Sequence, residues 1–563
     1  MKQKMLNLGL VLVPLLLFAT WIFTSWTLHY QVHDDRYMME FVSGKFLGHG
    51  DAHLVYINYG IGLILLALYQ ICKGIDWYGV CMYLFQFWAM GVFSYYCIRK
   101  QKNWKRKGIV LLAVYLIFIL CWIVEVTSFT YTTVSALLGV TALFTFAVGD
   151  NCWKDYIVTI LASAFCMMLR VDIFMMLVPV CGIIWIWKFI ASKEKKMVYF
   201  LIALGTVLVF CYGVNQIAYQ SPKWNAYMKY NQERTSFFDY DFEDKISYQE
   251  QKAVYDQLGI SEAEVKGLES YNLAFYDNQL YDYMEDLAKA SWVSSNTGIR
   301  RMAKEVPILM GWLLHSSKML VLFTLFIHVV CLVYLILHKQ KGLGIVYVAS
   351  VIVYGFLWGY ICYKGRFLDR VNHSLLLQQI VTQVALLFMV KPREIPFLQK
   401  KYQKRFLLCM GVGVCGILFL LGARICIKMH GINEKEGSYR DHYLMEEYCA
   451  KDEDKFFFLD VRSVTECKYI FSFKNDNAYE NFISLGDWYG NSPYYTEKME
   501  EEGITSVQDA VLHDKSVYII AKKDTDFSYM QDLTTEKLTI KEVDEITGGY
   551  DEYGVYQVLA NAQ

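Results

Sequence analysis

The chain reads as a polytopic α-helical membrane protein of about eleven spans with a small α/β domain at its C-terminus, and three observations carry that reading. Hydrophobic residues make up 55% of the 563 and the mean hydropathy is +0.26, which makes lipid the main solvent. Uncharged apolar runs recur, and the links between them alternate between strongly and weakly basic. Beyond residue 427 the apolar runs give way to short segments of strand character. The net charge of -1 gives no footing for nucleic-acid binding.

The first run, Leu6–Leu28, is uncharged for 23 residues, enough at about 1.5 Å per residue to cross a hydrocarbon core of about 30 Å. It follows Lys2 and Lys4, and no small-residue cleavage site follows it, so the expectation is a retained helix with a cytoplasmic N-terminus. Further spans are expected at Trp77–Ile98, Gly108–Val126, Tyr131–Val148, Tyr156–Leu169, Ile173–Trp187, Met197–Ala218, Met319–Leu337, Leu343–Tyr363, Ser374–Val390 and Phe406–Ile427. The N-terminus, Arg99–Lys107, the segment with Lys154, Lys188–Lys196, His338–Gly342 and Lys391–Arg405 hold 21 Lys and Arg, whereas the opposite links hold seven. The positive-inside rule therefore puts the first set in the cytoplasm and the C-terminus outside.

Two places need separate treatment. Counting Leu54–Cys72 as a span would turn every later basic link outward, so this run, which carries Asn58, Gly60 and Gly62, is expected to be an interfacial or re-entrant helix. Tyr156–Trp187 is too short for two full crossings and carries Arg170 and Asp172 at its middle, which predicts two short helices meeting at a buried polar apex.

These assignments divide the chain into a membrane module over 1–218 with a first outer loop at 29–76, a long outer loop at 219–306, a second membrane module at 307–427 and an outer α/β domain at 428–563. In the long loop, Ser261 and Glu264 have the spacing of a capping box that opens a helix. In the tail, strands are expected at Phe456–Val461, Ser516–Ala521, Leu538–Val543 and Tyr553–Leu559, with Phe456, Phe458, Val461, Val517, Ile519 and Val558 as the core of an independent unit. Most of the fifteen cysteines lie in apolar runs, where Cys acts as a small hydrophobe, and only Cys449 and Cys467 share a polar region that permits one bridge.

Ionisable groups at the membrane boundary are costly, so they are the candidates for function. His33, Asp34 and Asp35 follow the first span, and adjacent carboxylates can supply a general base or bind a divalent ion such as Mg or Mn. The structural alternative is that one Asp caps the amphipathic helix carrying Met38, Phe41, Val42 and Phe46. Glu125 stands at the outer rim of the third span, and Arg170 and Asp172 either pair with each other or face a ligand. Lys364, Arg366, Asp369 and Arg370 form an outer link with three cations, against the topology bias, and suit phosphate oxygens or outer-leaflet headgroups. Asp239, Asp241, Glu243, Asp244 and Glu250 alternate like a calcium loop but lack its glycine, and His328 within a span is expected to pack against a neighbouring helix.

About 150 residues at the N-terminus, with an inward-starting first helix, the Asp34-Asp35 pair, the aromatic segment Val55-Tyr56-Ile57-Asn58-Tyr59, the Gly74-Ile75-Asp76-Trp77 junction and a basic cytoplasmic loop, resemble the GT-C superfamily of membrane glycosyltransferases, of the protein mannosyltransferase and aminoarabinose transferase type. The resemblance implies a polyprenyl-phosphate-linked sugar donor, an extracytoplasmic glycan, lipid or protein acceptor, and Asp34 or Asp35 as catalytic base. On that reading Arg366, Arg370, Arg170 and Lys364 would hold the donor phosphate, and His33, Glu125, Asp172 and Asp369 would form a supporting polar rim. A polymerase or ligase of lipid-linked glycans would instead require arginines of the long loop, such as Arg234 or Arg300, and a transporter or flippase would require polar groups in the cytoplasmic halves of the spans.

Overall fold

The computed structural model describes residues 2–240, 247–277, 279–292, 298–391, 416, 419–424, 426–427, 438–463, 470–471, 480–532 and 534–561. Its first half is helical: α1 (Lys2–Ser25), α2 (His33–Ser43), α3 (Tyr59–Ile71), α4 (Trp77–Ile98), α5 (Trp104–Thr127), α6 (Tyr131–Val148), α7 (Trp153–Leu169), α8 (Val171–Ser192) and α9 (Lys196–Ala218). The long loop contributes α10 (Pro222–Phe238), α11 (Tyr248–Leu258) and α12 (Glu262–Ser270), and the second membrane module α13 (Ile299–Ser316), α14 (Lys318–Leu337), α15 (Lys341–Lys364) and α16 (Asp369–Met389). Among the described residues nine of these helices are long and apolar enough to cross a membrane, and the chain is a multi-pass membrane protein. The span expected at Phe406–Ile427 lies largely outside the described residues.

Helix α6 is the centre of the bundle, with every one of its residues buried. Thr130 caps it by accepting from the N–H groups of Thr132 and Thr133, while the Thr133 hydroxyl accepts from the Thr130 N–H. At Gly139 an added Cβ would stand 2.2 Å from a Leu177 methyl and 2.9 Å from Cys166 Sγ, so the absence of a side chain is what lets α7 and α8 close on it.

The two special places resolve differently. Helix α3, at 13 residues, is too short to cross a bilayer. The expectation of two short helices over Tyr156–Trp187 needs correction, because α8 runs 22 residues to Ser192 and is itself a candidate span. The apex is not buried either: Asp172, 3.0 Å from Arg170, is 76% exposed.

The tail carries a five-stranded mixed sheet in the order β4-β3-β5-β7-β6, built from β3 (Phe456–Leu459), β4 (Phe482–Ser484), β5 (Val517–Lys522), β6 (Lys537–Ile546) and β7 (Tyr553–Asn561). Strand β3 pairs in parallel with β4 and β5, and β7 runs antiparallel to β5 and β6. Strand β4, at three residues, carries no periodicity that a sequence reading could detect. One face of the sheet packs within the tail, where Met445, Cys449, Phe457, Leu459, Ile520 and Val555 cluster, but the other face does not have a core to itself. Phe456, Phe458, Val517, Ile519 and Val558 join one cluster with Tyr227, Tyr255, Leu268 and Phe275 of the long loop and with Tyr37, Phe41 and Phe46 on and just after α2.

Charges fasten the same junction. Lys45 lies 2.8 Å from Glu446 and 3.0 Å from Glu480, Arg36 Nη1 lies 3.0 Å from His442 Nδ1, and buried Lys498 donates to the Phe46 carbonyl at 3.0 Å. Glu446 and His442 belong to α17 (Ser438–Cys449), so α2 is held between the membrane bundle and the α/β domain.

Candidate active site

Two dipeptide strands, β1 (His29–Tyr30) and β2 (Ser128–Phe129), set the position of α2. His29 pairs with Ser128 and Tyr30 with Phe129 in parallel register, which brings the end of α1 beside the start of α6. Asp35 then faces the α6 N-terminus, where its Oδ1 accepts from the Tyr131 N–H at 3.0 Å and from the Tyr78 hydroxyl at 2.7 Å. The first N–H groups of a helix have no partner within it, so Asp35 caps α6 from a neighbouring element. The structural alternative, in which an Asp caps its own helix, does not hold: Val32 stands at the α2 cap and makes no side-chain bond. Burial pushes the Asp35 carboxyl up to about 8, against the opposing Tyr78 bond and with the Asp34 charge adding to it.

Asp34, rotated about 100° around α2 from Asp35, is 16% exposed, whereas Asp35 is fully buried. Its Oδ1 lies 3.6 Å from His33 Nε2, and the same nitrogen lies 3.5 Å from Oδ1 of Asp487, in the turn after β4. Burial by itself would raise Asp487, but His33 and the Trp488 N–H hold it below the usual carboxylate range. Arg170 Nη1 donates to the Tyr131 hydroxyl at 2.9 Å, and its guanidinium lies 5.6 Å from the Tyr131 ring centre and 6.0 Å from that of Tyr56. The charges of Asp34 and Arg170 act on each other, and Arg370, in the first turn of α16, acts on Asp35 and Tyr131. Among the described residues no hydrogen bond or ion pair engages the Arg370 guanidinium.

The other sequence-selected residues separate into neighbouring groups. Arg366 is committed to Asp239 at 3.1 Å, and Lys364 lies over the Tyr240 ring at 4.8 Å. Arg234 is buried and bonded to Asn231 and Tyr271 of the long loop and to Tyr56 of the first outer loop, a structural tie between the two, while Arg300 is exposed on α13. Glu125 meets His373 at 2.6 Å, and Ser317 reaches the other nitrogen of that ring at 2.6 Å. Asp369 is exposed at the start of α16, and His328 stands edge-on to Tyr347. Asp241, Glu243, Asp244 and Cys467 lie outside the described residues, and Cys449 is buried.

Sequence reasoning missed Asp487, His373 and Tyr78, whose hydroxyl engages Asp35. The signal for Asp487 is its place in Gly486-Asp487-Trp488-Tyr489-Gly490, a turn composition rich in aromatics. Among the described residues two groups have ligand atoms close enough to share a metal ion, Glu40–His442–Glu446 and His49–Glu497–Glu501, and neither includes Asp34 or Asp35. The first group is already neutralised by Arg36 and Lys45.

No family model matches the sequence, and no curated protein matches it. Among solved structures, the chain is similar to ArnT from Cupriavidus metallidurans in the apo state, with 10% identity over 98% of this chain and 99% of that one and a TM-score of 0.39.

Proposed function

We propose that the chain is a membrane glycosyltransferase that moves a sugar from a polyprenyl-phosphate carrier to an acceptor hydroxyl on the extracytoplasmic side. The observation that carries this reading is a part-exposed carboxylate, Asp34, and two cations, Arg170 and Arg370, whose charges all act on the Tyr131 hydroxyl, which Arg170 also engages at 2.9 Å. A phosphate leaving group departs already charged, so the reaction needs a base for the acceptor and cations for the phosphate, and no acid for the leaving group. In the step, the acceptor oxygen bonds to the anomeric carbon, the carbon–oxygen bond to phosphate breaks, and the hydroxyl proton passes to Asp34. Asp34 suits this role better than Asp35, because Oδ1 of Asp35 already accepts two hydrogen bonds and no part of that residue reaches solvent.

Arg370 is the cation best suited to the donor phosphate, since it is half-buried and uncommitted, and its charge and that of Arg170 both act on Tyr131. Arg366 and Lys364 are assigned to shaping the outer rim through Asp239 and Tyr240. The test uses the purified full chain in nanodiscs with a panel of polyprenyl-phosphate-linked sugars, reading release of polyprenyl phosphate. Asp34→Asn is expected to lower turnover by about 10² to 10⁴. Arg370→Ala is expected to weaken capture of polyprenyl phosphate about tenfold or more. Full turnover by Asp34→Asn would eliminate this mechanism.

A further inference from the structure

The turn after β4 reaches from the α/β domain to the candidate base, and it is held there from three sides. The Ala274 N–H donates to the Leu485 carbonyl at 2.9 Å, the Tyr227 hydroxyl donates to the Trp488 carbonyl at 3.0 Å, and the Trp488 ring lies 4.8 Å from Tyr56 and 6.2 Å from Tyr37. At Gly486 a Cβ would stand 2.5 Å from the Tyr271 carbonyl oxygen, so the turn sits directly on the long loop's backbone. Asp487 itself has φ of 66°, a left-handed conformation that an Asp tolerates at a cost and that persists where surrounding contacts enforce it. The product of this arrangement is a carboxylate 3.5 Å from the His33 nitrogen that lies 3.6 Å from Asp34.

We propose that Asp487 is a positioning residue: it holds the His33 imidazole against Asp34, so that the α/β domain orients the carboxylate assigned as base. The proposal rests on the reading of Asp34 as base. The long loop, through its contacts with the turn, and the α/β domain together then complete the site instead of only covering it. A bound imidazole on one side of Asp34 leaves its other oxygen to face the acceptor, and misplacement of a reacting group by about 1 Å can cost on the order of 10² in rate.

The experiment is a double-mutant cycle on the full chain in nanodiscs, comparing His33→Asn, Asp487→Asn and the double variant, with Asp487→Glu as the conservative change. Two quantities are read: turnover against KM with the polyprenyl-phosphate-linked sugar panel, and the rate at which a hydrophobic carbodiimide labels Asp34, located by mass spectrometry. Each single variant is expected to lower kcat about tenfold or more with little change in donor KM, the double variant to lose no more than His33→Asn, and Asp487→Glu to recover part of the loss. Carbodiimide labelling of Asp34 should rise by the same factor in both singles and the double, because each exposes the oxygen that the imidazole covers. Independent, multiplying losses in the double variant, or unchanged labelling in Asp487→Asn, would overturn the proposal. Should Asp487→Asn not yield folded protein, His33→Asn decides: wild-type kcat and labelling there overturn it. If the wild type transfers none of the sugars, the glycosyltransferase reading fails while the labelling cycle still decides whether Asp487 acts on Asp34 through His33.

Discussion

Adjacent carboxylates on one helix turn have different environments in this protein, Asp35 fully buried and Asp34 part-exposed. Asp35 is buried against the start of α6 and its carboxyl is raised to about 8, above its value of about 3.9 in the unfolded chain. The folded state therefore binds the Asp35 proton more tightly than the unfolded state, so its contribution to stability is fully present at low pH and is lost as pH rises toward 8. Asp35→Asn keeps an acceptor for Tyr78 and Tyr131 and removes the titration. The expected outcome is that the apparent Tm of the wild type falls between about pH 5 and about pH 8 relative to Asp35→Asn, measured by dye-based melting in nanodiscs across that range. Transfer by Asp35→Asn should exceed that of Asp34→Asn, since only Asp34 is assigned the acceptor proton.

At the scale of elements, the site depends on short segments that place long ones. Two-residue strands β1 and β2 set α2 against α6, and the Gly486–Gly490 turn sets the α/β domain against α2. Substituting Gly486 by Ala puts a methyl 2.5 Å from the Tyr271 oxygen and 2.9 Å from the Leu273 nitrogen, both backbone atoms with no room to give. Overpacking of this kind costs about 1–3 kcal/mol. The expected result is a lower apparent Tm and faster proteolysis of the α/β domain, with turnover reduced as well because the displaced turn carries Asp487. Equal proteolysis of Gly486→Ala and wild type would mean that the turn is free to move.

For the whole molecule, the expectation of an independent C-terminal domain meets a sheet with one face packed within the tail and the other on a core that three regions share. A fragment of residues 428–563 would leave Phe456, Phe458, Ile519 and Val558 without their partners from the long loop. Exposed apolar patches of this kind lead to association in place of a cooperative fold. The fragment alone is expected to give no cooperative melt and to bind a hydrophobic dye, and adding residues 219–298 should suppress the dye signal. Sidedness is tested separately: Asn103→Cys, in the loop with six Lys and Arg between Arg99 and Lys107, should react with an impermeant maleimide only after the membrane is opened. Labelling in intact cells would reverse the proposed orientation and put the Asp34 site in the cytoplasm.

Properties that depend on neighbours within a turn or two were legible in the residues themselves. The lengths of Trp77–Ile98 and Tyr131–Val148 as helices, the short helix at Tyr59–Ile71, the Ser261–Glu264 capping box and four of the five sheet strands follow from hydropathy, capping chemistry and alternation, because these act locally. The choice of Asp34 and Asp35 as candidates also came from local logic, since charges beside a span are costly. Which of the two faces solvent, which helix Asp35 caps, that Arg366 is already paired with Asp239, and that Asp487 stands beside His33 were decided only by the tertiary structure. Each of these depends on contacts between residues far apart in the chain, and no periodicity or spacing encodes a contact whose partner is set by how a sheet, a loop and a helix bundle pack against one another.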